Sequence, residues 1–379
     1  MMVRGAHRLC AAAALAAALL LTACATSPPA PAPAPAVAEP PAEPAPPPRD
    51  HPGLTIAAVG DMMIGTDFPE NTLPDDDGLS FFDGVTPILE AADVTFGNVE
   101  GVLMDGGEPV KQCKNPRICY LFRSPARYAT YFKLAGFDAA SLANNHARDF
   151  GEEGRSASMA ALDAAGIHHS GREGTTASWI ANGRRIGFVA FAPNVESNQL
   201  NEPEVARAMV EQLAASNDIV IVSFHGGAEG NGAEILPFTR EIFVGEDRGN
   251  VVEFAHAMID AGADIVLGHG PHVVRPLELY RGRLIAYSLG NFATYFGISV
   301  EGIRGIAPIL RVTLDDEGRF VSGRIESTQQ LRPAGPTLDP ERKVLALLRQ
   351  LTNAAFPNGA LEIGEDGSLM RRASLARIP

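Results

Sequence analysis

The chain is poor in basic residues relative to acidic ones, and it has few cysteines and a single tryptophan. Its 379 residues include 31 Lys and Arg against 45 Asp and Glu, with four cysteines and a formal net charge of −14. Negative charge at this level opposes general binding to nucleic acids, so we expect no nucleic-acid partner. An anionic substrate would need a local positive site, such as bound metal ions, to offset the field of the protein.

A nearly pure run of Ala and Leu, Leu9–Leu20, follows a basic start that contains Arg4, His7 and Arg8. The run is too short to span a bilayer permanently, so it predicts a signal peptide over residues 1–24. Loss of Arg4 and Arg8 with this segment would leave the mature chain more acidic still.

The predicted signal peptide ends in Leu21-Thr22-Ala23-Cys24, which has the form of a bacterial lipobox. In that motif the cysteine is acylated and becomes the new N-terminus, so we expect Cys24 to carry lipid. An ordinary signal peptide with an incidental cysteine is the alternative. Ala25, in place of an aspartate, favours outer-membrane sorting by convention. We therefore expect an exported protein, lipid-anchored to the cell envelope, at the outer membrane or periplasm of a two-membrane bacterium.

Residues 25–52 consist almost entirely of Pro, Ala and Glu. Alternating Pro and Ala favour extended polyproline II and bury nothing, so this segment is predicted to be a disordered, semi-rigid tether. The rest of the chain suits one large α/β domain or two smaller ones. We assign residues 53–335 to the main domain and 336–379 to a C-terminal helix and a peripheral segment.

Two cysteines, Cys113 and Cys119, remain once Cys10 and Cys24 are set aside. In an oxidising compartment a disulfide between them is the expected state. The alternative is that both cysteines bind a metal, but the sequence offers no further cysteine or nearby histidine to complete such a site.

Short apolar runs alternate with helix-like segments from Leu54 to about Asn291, which predicts an α/β sheet with its site at the carboxyl ends of the strands. The predicted strands are Thr55–Gly60, Val94–Gly97, Ala139–Leu142, Arg185–Ala192, Ile219–Phe224 and Ile265–Leu267. The predicted helices are Val85–Ala91, Pro125–Ala135, Gly154–Ala165, Pro203–Ala215, Val251–Ala261 and Pro340–Ala354. After Val273, probable turns at Arg281-Gly282 and Asp316–Gly318 mark two hairpins, which predict a second, antiparallel sheet packed on the first.

Polar residues follow five of these predicted strands. In chain order they are Asp61, Asn98, Glu100, Asn144, Asn145, His146, His225, Glu229, His269 and His272. Neighbouring parallel strands would gather them at one edge of a sheet. Oxygen and imidazole ligands without thiolate suit Mn, Fe, Zn or Mg, as one divalent ion or a pair. Such ions activate bound water and stabilise the transition state of phosphoryl or acyl transfer.

Each of these residues also has a purely structural interpretation. Asp61 could be a turn residue or a helix cap, and Asn144-Asn145 could cap a helix that begins near Gly151. His225 could be a core histidine and Glu229 a solvated loop charge. The coincidence of polar groups at five strand ends is what favours a shared site.

Six ordered motifs resemble the CapA family of poly-γ-glutamate capsule synthesis proteins, which is similar in turn to the calcineurin-like metallophosphoesterases. They are Gly60-Asp61, Asn98-Val99-Glu100, Ala143-Asn144-Asn145-His146, His225-Gly-Gly-Ala-Glu229, Gly268-His269-Gly-Pro-His272 and Tyr287-Ser-Leu-Gly-Asn291-Phe292. The resemblance covers roughly residues 54 to 300. It implies an α/β fold of the four-layer αββα type, two β-sheets flanked by helices, with a two-metal site at the strand ends.

The resemblance also implies roles for single residues. The implied metal ligands are Asp61, Glu100, Asn145, His225, His269 and His272, with His146 as the catalytic residue and Asn98, Asn144 and Glu229 in contact with substrate. Three features depart from the phosphoesterase pattern. The first motif, Asp-x-His, reads Asp61-Met62-Met63 here, and Asn98 stands where an aspartate is usual. His269 and His272 are also one residue further apart than the histidines of Gly-His-x-His. These changes leave the occupancy of one metal position open.

The segment Pro109–Phe137 contains no acidic residue but six basic ones: Lys111, Lys114, Arg117, Arg123, Arg127 and Lys133. A Cys113–Cys119 disulfide would stiffen it. In so acidic a protein this patch is where a polyanion such as poly-γ-glutamate would bind, and Lys111, Lys114 and Arg117 are the predicted contacts. A solvated loop and helix face is the alternative.

Three functions fit the sequence. The first is a role in making, exporting or anchoring an anionic capsule polymer, together with other capsule synthesis or export proteins. The second is a metal-dependent hydrolase of phosphoesters or of γ-glutamyl amides, with His146 stabilising the leaving charge. The third is a non-catalytic module that binds the polymer. Whether the protein is an enzyme stays open at this point, because fold alone does not decide function.

Overall fold

The computed structural model describes residues 53–111 and 120–372. The predicted signal peptide with Cys24, the tether of residues 25–52, the pair Cys113 and Cys119, and two of the predicted contacts, Lys114 and Arg117, lie outside the described residues.

Twenty strands and six helices follow one another along the described chain. The first half contains β1 (Leu54–Met63), α1 (Thr86–Leu89), β2 (Val94–Val99), β3 (Val102–Leu103), β4 (Arg123–Ser124), α2 (Tyr128–Leu134), β5 (Ala139–Ser141), α3 (Gly151–Ala165), β6 (His168–Ser170), β7 (Ala177–Ala181), β8 (Arg184–Phe191) and α4 (Pro203–Ala214). The second half contains β9 (Ile219–His225), β10 (Glu241–Phe243), β11 (Glu246–Gly249), α5 (Val251–Asp260), β12 (Ile265–His269), β13 (Leu277–Tyr280), β14 (Arg283–Ala286), β15 (Asn291–Thr294), β16 (Ile306–Leu314), β17 (Phe320–Gln330), β18 (Pro336–Leu338), α6 (Lys343–Ala355), β19 (Leu361–Ile363) and β20 (Ser368–Arg371). None of the described helices is long and apolar enough to cross a membrane.

Two large sheets carry the fold. A ten-stranded sheet has the order β19-β20-β17-β16-β1-β2-β5-β6, with β15 beside β1 and β18 beside β17. A six-stranded sheet has the order β13-β14-β12-β9-β8-β7. In the first sheet β1, β2, β5 and β6 are parallel, and in the second β8, β9, β12 and β14 are parallel. The carboxyl ends of these parallel strands carry the polar motifs.

The prediction that the two C-terminal hairpins form a separate sheet is wrong. The β13–β14 hairpin extends the six-stranded sheet, because β14 pairs in parallel with β12. The β16–β17 hairpin joins the ten-stranded sheet, because Leu310–Leu314 pairs antiparallel with Leu54–Ala58 of β1. Each sheet therefore combines strands that are far apart in sequence.

Three apolar cores separate four layers. The central core lies between the sheets and includes Ile56 of β1 and Ile221 of β9, and part of α6 packs into it. A second core packs α1, α2 and α3 on the ten-stranded sheet, and a third packs α4 and α5 on the six-stranded sheet. Along β1, Ile56 faces the central core and Ala57 the outer one, as the two-residue period of a strand requires. The chain is thus an αββα sandwich, which confirms the predicted fold class.

Several strands extend beyond their predicted ends, and the first helix is shorter than predicted. β1 continues through Asp61 to Met63, and β2 includes Asn98, so these two polar residues lie within strands. Helix α1 has only four residues, Thr86–Leu89. Every residue of β1 and β2 is buried, which holds the backbone of Asp61 and Asn98 in fixed positions.

Candidate metal centre

The polar motifs meet where the carboxyl ends of both sheets come together. Asp61 and Glu100 come from the ten-stranded sheet, and His225 and His269 end two neighbouring strands of the six-stranded sheet. The two sheets contact each other here through β1 and β12. The expectation that one edge of a single sheet gathers these residues is therefore wrong, because they come from two facing sheets.

Two glycines allow the chain to approach this closely. A Cβ atom on Gly60 would lie 1.9 Å from the carbonyl oxygen of Gly290, which itself accepts a hydrogen bond of 2.8 Å from the N–H of Asp61. Gly270 has a φ of +121°, and a Cβ there would lie 2.6 Å from the carbonyl oxygen of Gly226. Glycine is required at both positions because no side chain fits.

Three fully buried side chains form the centre of the cluster. Ligand atoms of Asp61, Glu100 and His225 all lie within 4.8 Å of one another, and each side chain is 0 % exposed. Two carboxylates and one imidazole within this distance could each coordinate the same ion at about 2.0–2.2 Å. We call these three residues the ligand triad.

The triad and its neighbours leave hydrogen-bonding atoms unpaired inside the protein. Among the described residues, the buried atoms without a hydrogen-bond partner include both oxygens of Glu100, the Oδ1 of Asn145 and both ring nitrogens of His225 and His269. The Nδ1 of His269 lies 3.3 Å from the Oδ1 of Asp61, which is ion-pair distance without hydrogen-bond geometry. Buried polar atoms nearly always have partners, so this donor set fits a divalent cation as the missing partner.

Asp61 is held in its ionised form. Its Oδ1 accepts a hydrogen bond of 2.9 Å from the Nδ2 of Asn98, and its Oδ2 lies 3.2 Å from the Nδ1 of His272. Burial alone would raise the pKa of Asp61, but His269 and His272 outweigh it and hold that pKa well below its usual range. A carboxylate that stays charged while buried is a suitable ligand for a cation.

Burial favours the neutral forms of both Glu100 and His225. Burial, with the nearby charges of Asp61 and Glu229, raises the pKa of Glu100 well above its usual value, although His272 opposes this. Burial lowers the pKa of His225 well below 6.5, so its imidazole is neutral and offers a lone pair. A divalent ion would favour the ionised form of Glu100 and bind the neutral form of His225.

His272 lies beside the triad and contacts three carboxylates. Its Nε2 is 3.6 Å from the Oε1 of Glu100 and 3.9 Å from the Oε2 of Glu229. Burial opposes protonation, but the charges of Glu100, Asp61 and Glu229 raise the pKa of His272 to about 10. In this arrangement His272 acts as a cation among the acidic groups.

Asn98 and Asn144 make hydrogen bonds inside the protein, and their role as substrate contacts stays a prediction. Asn98 donates to Asp61, and the Nδ2 of Asn144 donates to the carbonyl of Val99 at 2.8 Å. The Oδ1 of Asn144 accepts from the N–H of His146 at 3.1 Å. Both amides are fully enclosed and hold the strand ends together, and neither caps a helix.

His146 is oriented by a buried aspartate that the sequence motifs did not include. Its Nδ1 lies 2.7 Å from the Oδ2 of Asp149, whose Oδ1 pairs with the Nζ of Lys111 at 2.8 Å. Burial lowers the pKa of His146, although Asp149 opposes the shift. Because the carboxylate accepts at Nδ1, the neutral ring carries its proton there and keeps a lone pair at Nε2.

A cavity of about 720 Å³ opens beside the cluster. Among the predicted site residues, Lys111, Asn145, His146, Glu229 and His272 line it. The other lining residues are Tyr120, Phe122, Phe243, Val244, Glu246, Arg248, Gly297, Ile298, Ser299 and Arg304. The cavity is large enough for a small molecule or a few residues of a polymer.

Residues 55–295 match the family described as "Bacterial capsule synthesis protein PGA_cap". The chain belongs to this family. The match includes all six sequence motifs and the ligand triad.

Curated relatives carry related names. The PGA biosynthesis protein CapA of Bacillus subtilis is 29 % identical over 83 % of this chain and 81 % of its own length. The capsule biosynthesis protein CapA of Bacillus anthracis is 28 % identical over 64 % of this chain and 60 % of its own length. Among solved structures, a 5'-nucleotidase precursor from Thermus thermophilus is 16 % identical, with a TM-score of 0.40, over 78 % of this chain and 58 % of that one. That last similarity says nothing about the substrate of this chain.

In this capsule synthesis family member, those basic residues of the predicted patch that the structure describes pair with carboxylates. Arg123 pairs with Asp67 at 2.6 Å, and Lys133 pairs with Asp138 at 3.0 Å. Arg127 likewise pairs with Asp77. These acidic partners lie outside the segment Pro109–Phe137, which is why the sequence of that segment suggested free positive charge.

Two residues at the site were missed by sequence reasoning. Asp149 follows His146 by three positions, and that spacing is the only sequence signal for their contact. Asn291 was quoted in a motif without a role, yet its Oδ1 lies 2.9 Å from the Nδ1 of His272. Its Nδ2 donates to the carbonyls of Ser299 and Arg304, so it ties one cavity wall to the cluster.

Proposed function

We propose that this protein serves in the synthesis of an anionic γ-glutamyl capsule polymer through a divalent-metal centre held by Asp61, Glu100 and His225. Membership of the capsule synthesis family and the names of the Bacillus relatives support the polymer. The unpaired buried atoms of Glu100 and His225 support the metal. One or two ions of Mn, Zn, Fe or Mg would suit this donor set.

The observation that carries the proposal is the group of buried ligand atoms without partners. Leaving one buried polar atom unpaired costs about 1–3 kcal/mol, and more for a charged group. Glu100 and His225 alone leave four such atoms, and one ligand atom of each lies within 4.8 Å of the other and of an oxygen of Asp61. A sequence that retained them for packing alone would be less stable than one with apolar side chains of the same size.

Hydrolysis of the polymer is the reaction that the His146–Asp149 pair favours over binding alone. A bound divalent cation would supply Lewis acidity at the scissile carbonyl and lower the pKa of water. His146 Nε2 accepts the proton of the attacking water while the new C–O bond forms. His146 then passes that proton to the leaving nitrogen as the C–N bond breaks, giving a carboxylic acid and an amine. Asp149 holds the ring in the required tautomer throughout.

The protein would act at the cell surface. The N-terminal sequence supports export and the attachment of lipid to Cys24. Mass spectrometry of the mature N-terminus tests this attachment directly. An anchored enzyme would meet the polymer beside the other proteins that make or export it. Phosphoester hydrolysis and binding without cleavage are the competing functions.

The test uses the purified full chain, stripped with a chelator and reloaded with Mn²⁺, Zn²⁺ or Mg²⁺. Each form is given poly-γ-glutamate or a model phosphodiester, and products are measured by chromatography. We expect metal-dependent shortening of the polymer, abolished in His225→Ala. Metal-dependent binding without shortening would replace hydrolysis by a binding role. Absence of both metal binding and polymer binding would overturn the proposal.

A further inference from the structure

We infer that Arg304 binds a free carboxylate of the substrate and so makes the cavity selective for a chain that carries one on each residue. This inference rests on the proposed function and adds to it a specificity-determining residue, which none of the sequence motifs contains. It starts from the charges that line the cavity.

One lysine and two arginines line the cavity, and the lysine and one of the arginines already pair with carboxylates. Lys111 pairs with Asp149 at 2.8 Å. Arg248 lies between two carboxylates, with Nη2 3.1 Å from Glu229 and Nε 2.6 Å from Glu246. Each of these side chains already pairs with at least one carboxylate, so the ion pair as a whole offers no net positive charge to an incoming anion.

Arg304 differs from them. Within residues 53–111 and 120–372, its guanidinium makes no ion pair with a carboxylate, although it lines the cavity and is half-buried. An unpaired arginine at the wall of an acidic protein is a ready receptor for an anion. Its planar fork of donors matches a carboxylate through two parallel hydrogen bonds.

The backbone that carries Arg304 is tied to the proposed metal centre by one side chain. The Nδ2 of Asn291 donates to the carbonyl of Arg304 at 3.2 Å and to that of Ser299 at 3.1 Å. The Oδ1 of the same amide lies 2.9 Å from the Nδ1 of His272. The cavity wall that carries Arg304 therefore keeps a fixed position relative to the triad. A substrate that contacts both Arg304 and the metal centre would be held in one position along its chain.

The rest of the wall suits the spacers between carboxylates. Phe243, Val244 and Ile298 line the same cavity, and Val244 is 83 % exposed. A γ-linked glutamate residue presents two methylene groups in its main chain and one free carboxylate beside them. An apolar wall near an arginine that makes no ion pair within the described residues matches that alternation of apolar and anionic groups.

The test compares two oligomers of equal length, γ-linked glutamate and the same chain with each free carboxylate converted to an amide. Binding to the full chain loaded with Mn²⁺ is measured by calorimetry. We expect wild type to prefer the carboxylate oligomer, and Arg304→Gln to weaken that oligomer by at least about ten-fold while leaving the amide oligomer unchanged. Arg304→Lys should recover only part of the loss, because a lysine cannot form the paired bonds.

Arg319→Gln is the matched control. Arg319 lies in the turn between β16 and β17 and pairs with Glu317 at 3.1 Å, outside the cavity. The control variant should bind both oligomers as wild type does, and Mn²⁺ affinity should be the same in all variants. Equal loss of both oligomers in Arg304→Gln, or no loss of either, would overturn the inference while the proposed function stands. Failure of wild type to bind either oligomer would overturn both.

Discussion

The two edges of the parallel strands both contain carboxylates but use them differently. At the amino edge, an aspartate stands directly before each of four strands and accepts a hydrogen bond from the backbone of the neighbouring strand. The pairs are Asp93 with Thr55 N at 2.8 Å, Asp138 with Thr95 N at 3.0 Å, Asp218 with Arg185 N at 2.7 Å and Asp264 with Val220 N at 2.8 Å. In each pair the aspartate N–H also donates to the carbonyl of the same residue.

At the carboxyl edge Glu100 and His225 are fully buried, more deeply than most of these aspartates, but they lack such partners. Both oxygens of Glu100 and both nitrogens of His225 have none among the described residues. The amino edge thus uses its carboxylates to fix the pairing of neighbouring strands. The carboxyl edge presents unpaired buried atoms, which in the proposed function bind a divalent cation. One edge therefore fixes strand pairing, and the other carries the proposed function.

The largest expected effect is on metal binding at the carboxyl edge. We expect His225→Ala to weaken Mn²⁺ affinity by at least about 100-fold, because one of three ligands is lost. Asp138→Asn, at the amino edge, should leave that affinity unchanged. Calorimetric titration of both variants measures the difference. Similar Mn²⁺ affinities in the two variants would contradict the proposed difference between the two edges.

The next effect concerns the residue that orients His146. We expect Asp149→Asn to lower turnover by about 100-fold or more, because the imidazole loses the acceptor that sets its tautomer. Metal affinity should be retained, which separates orientation from metal loss. Asp163→Asn is the control, since Asp163 also contacts a histidine, His169, at 3.0 Å but outside the cavity. Equal effects in both variants would show that His146 needs no such partner.

A smaller effect should appear in stability at the amino edge. Asp138→Ala leaves the buried N–H of Thr95 without its acceptor, so we expect the free energy of unfolding to fall by about 1–3 kcal/mol. Asp138→Asn keeps an acceptor and should lose less. Denaturant titrations without metal measure both variants. If Asp138→Ala changed metal affinity and not stability, the assignment of this edge to folding would be wrong.

An effect of similar size is the pH dependence of stability expected at Asp264. Burial raises the pKa of Asp264 to about 6, although the Val220 N–H and Arg283 oppose the shift. The folded state therefore holds this proton more tightly than the unfolded chain, whose pKa is near 3.8. Relative to Asp264→Asn, wild type should lose on the order of 1–3 kcal/mol of stability as pH rises from about 4 through 6. A constant difference between pH 4 and 7 would contradict this assignment.

Much of the architecture could be predicted because the strands are short apolar runs that end in polar motifs. The residues Asp61, Glu100 and His225 stood out for that reason, and the structure brings them together. Their roles as ligands stay predictions. The pairing of strands could not be predicted from such local patterns. Which sheet receives the β16–β17 hairpin depends on contacts with β1, some 250 residues earlier in the chain.

The parts that sequence reasoning missed are those in which a partner comes from elsewhere in the chain. Arg123 and Lys133 seemed free because Asp67 and Asp138 lie outside their segment. Asn98 was predicted to contact substrate because its position in the motif does not reveal that its Nδ2 donates a hydrogen bond to Asp61. Local patterns predict which residues matter, whereas charge balance depends on tertiary neighbours.

The most direct test of the central claim is a crystal structure of the chain soaked with Mn²⁺, with anomalous scattering measured at the manganese edge. We predict a peak about 2.0–2.2 Å from ligand atoms of Asp61, Glu100 and His225. A peak at another place, or none at a Mn²⁺ concentration that saturates the protein in solution, would contradict the account.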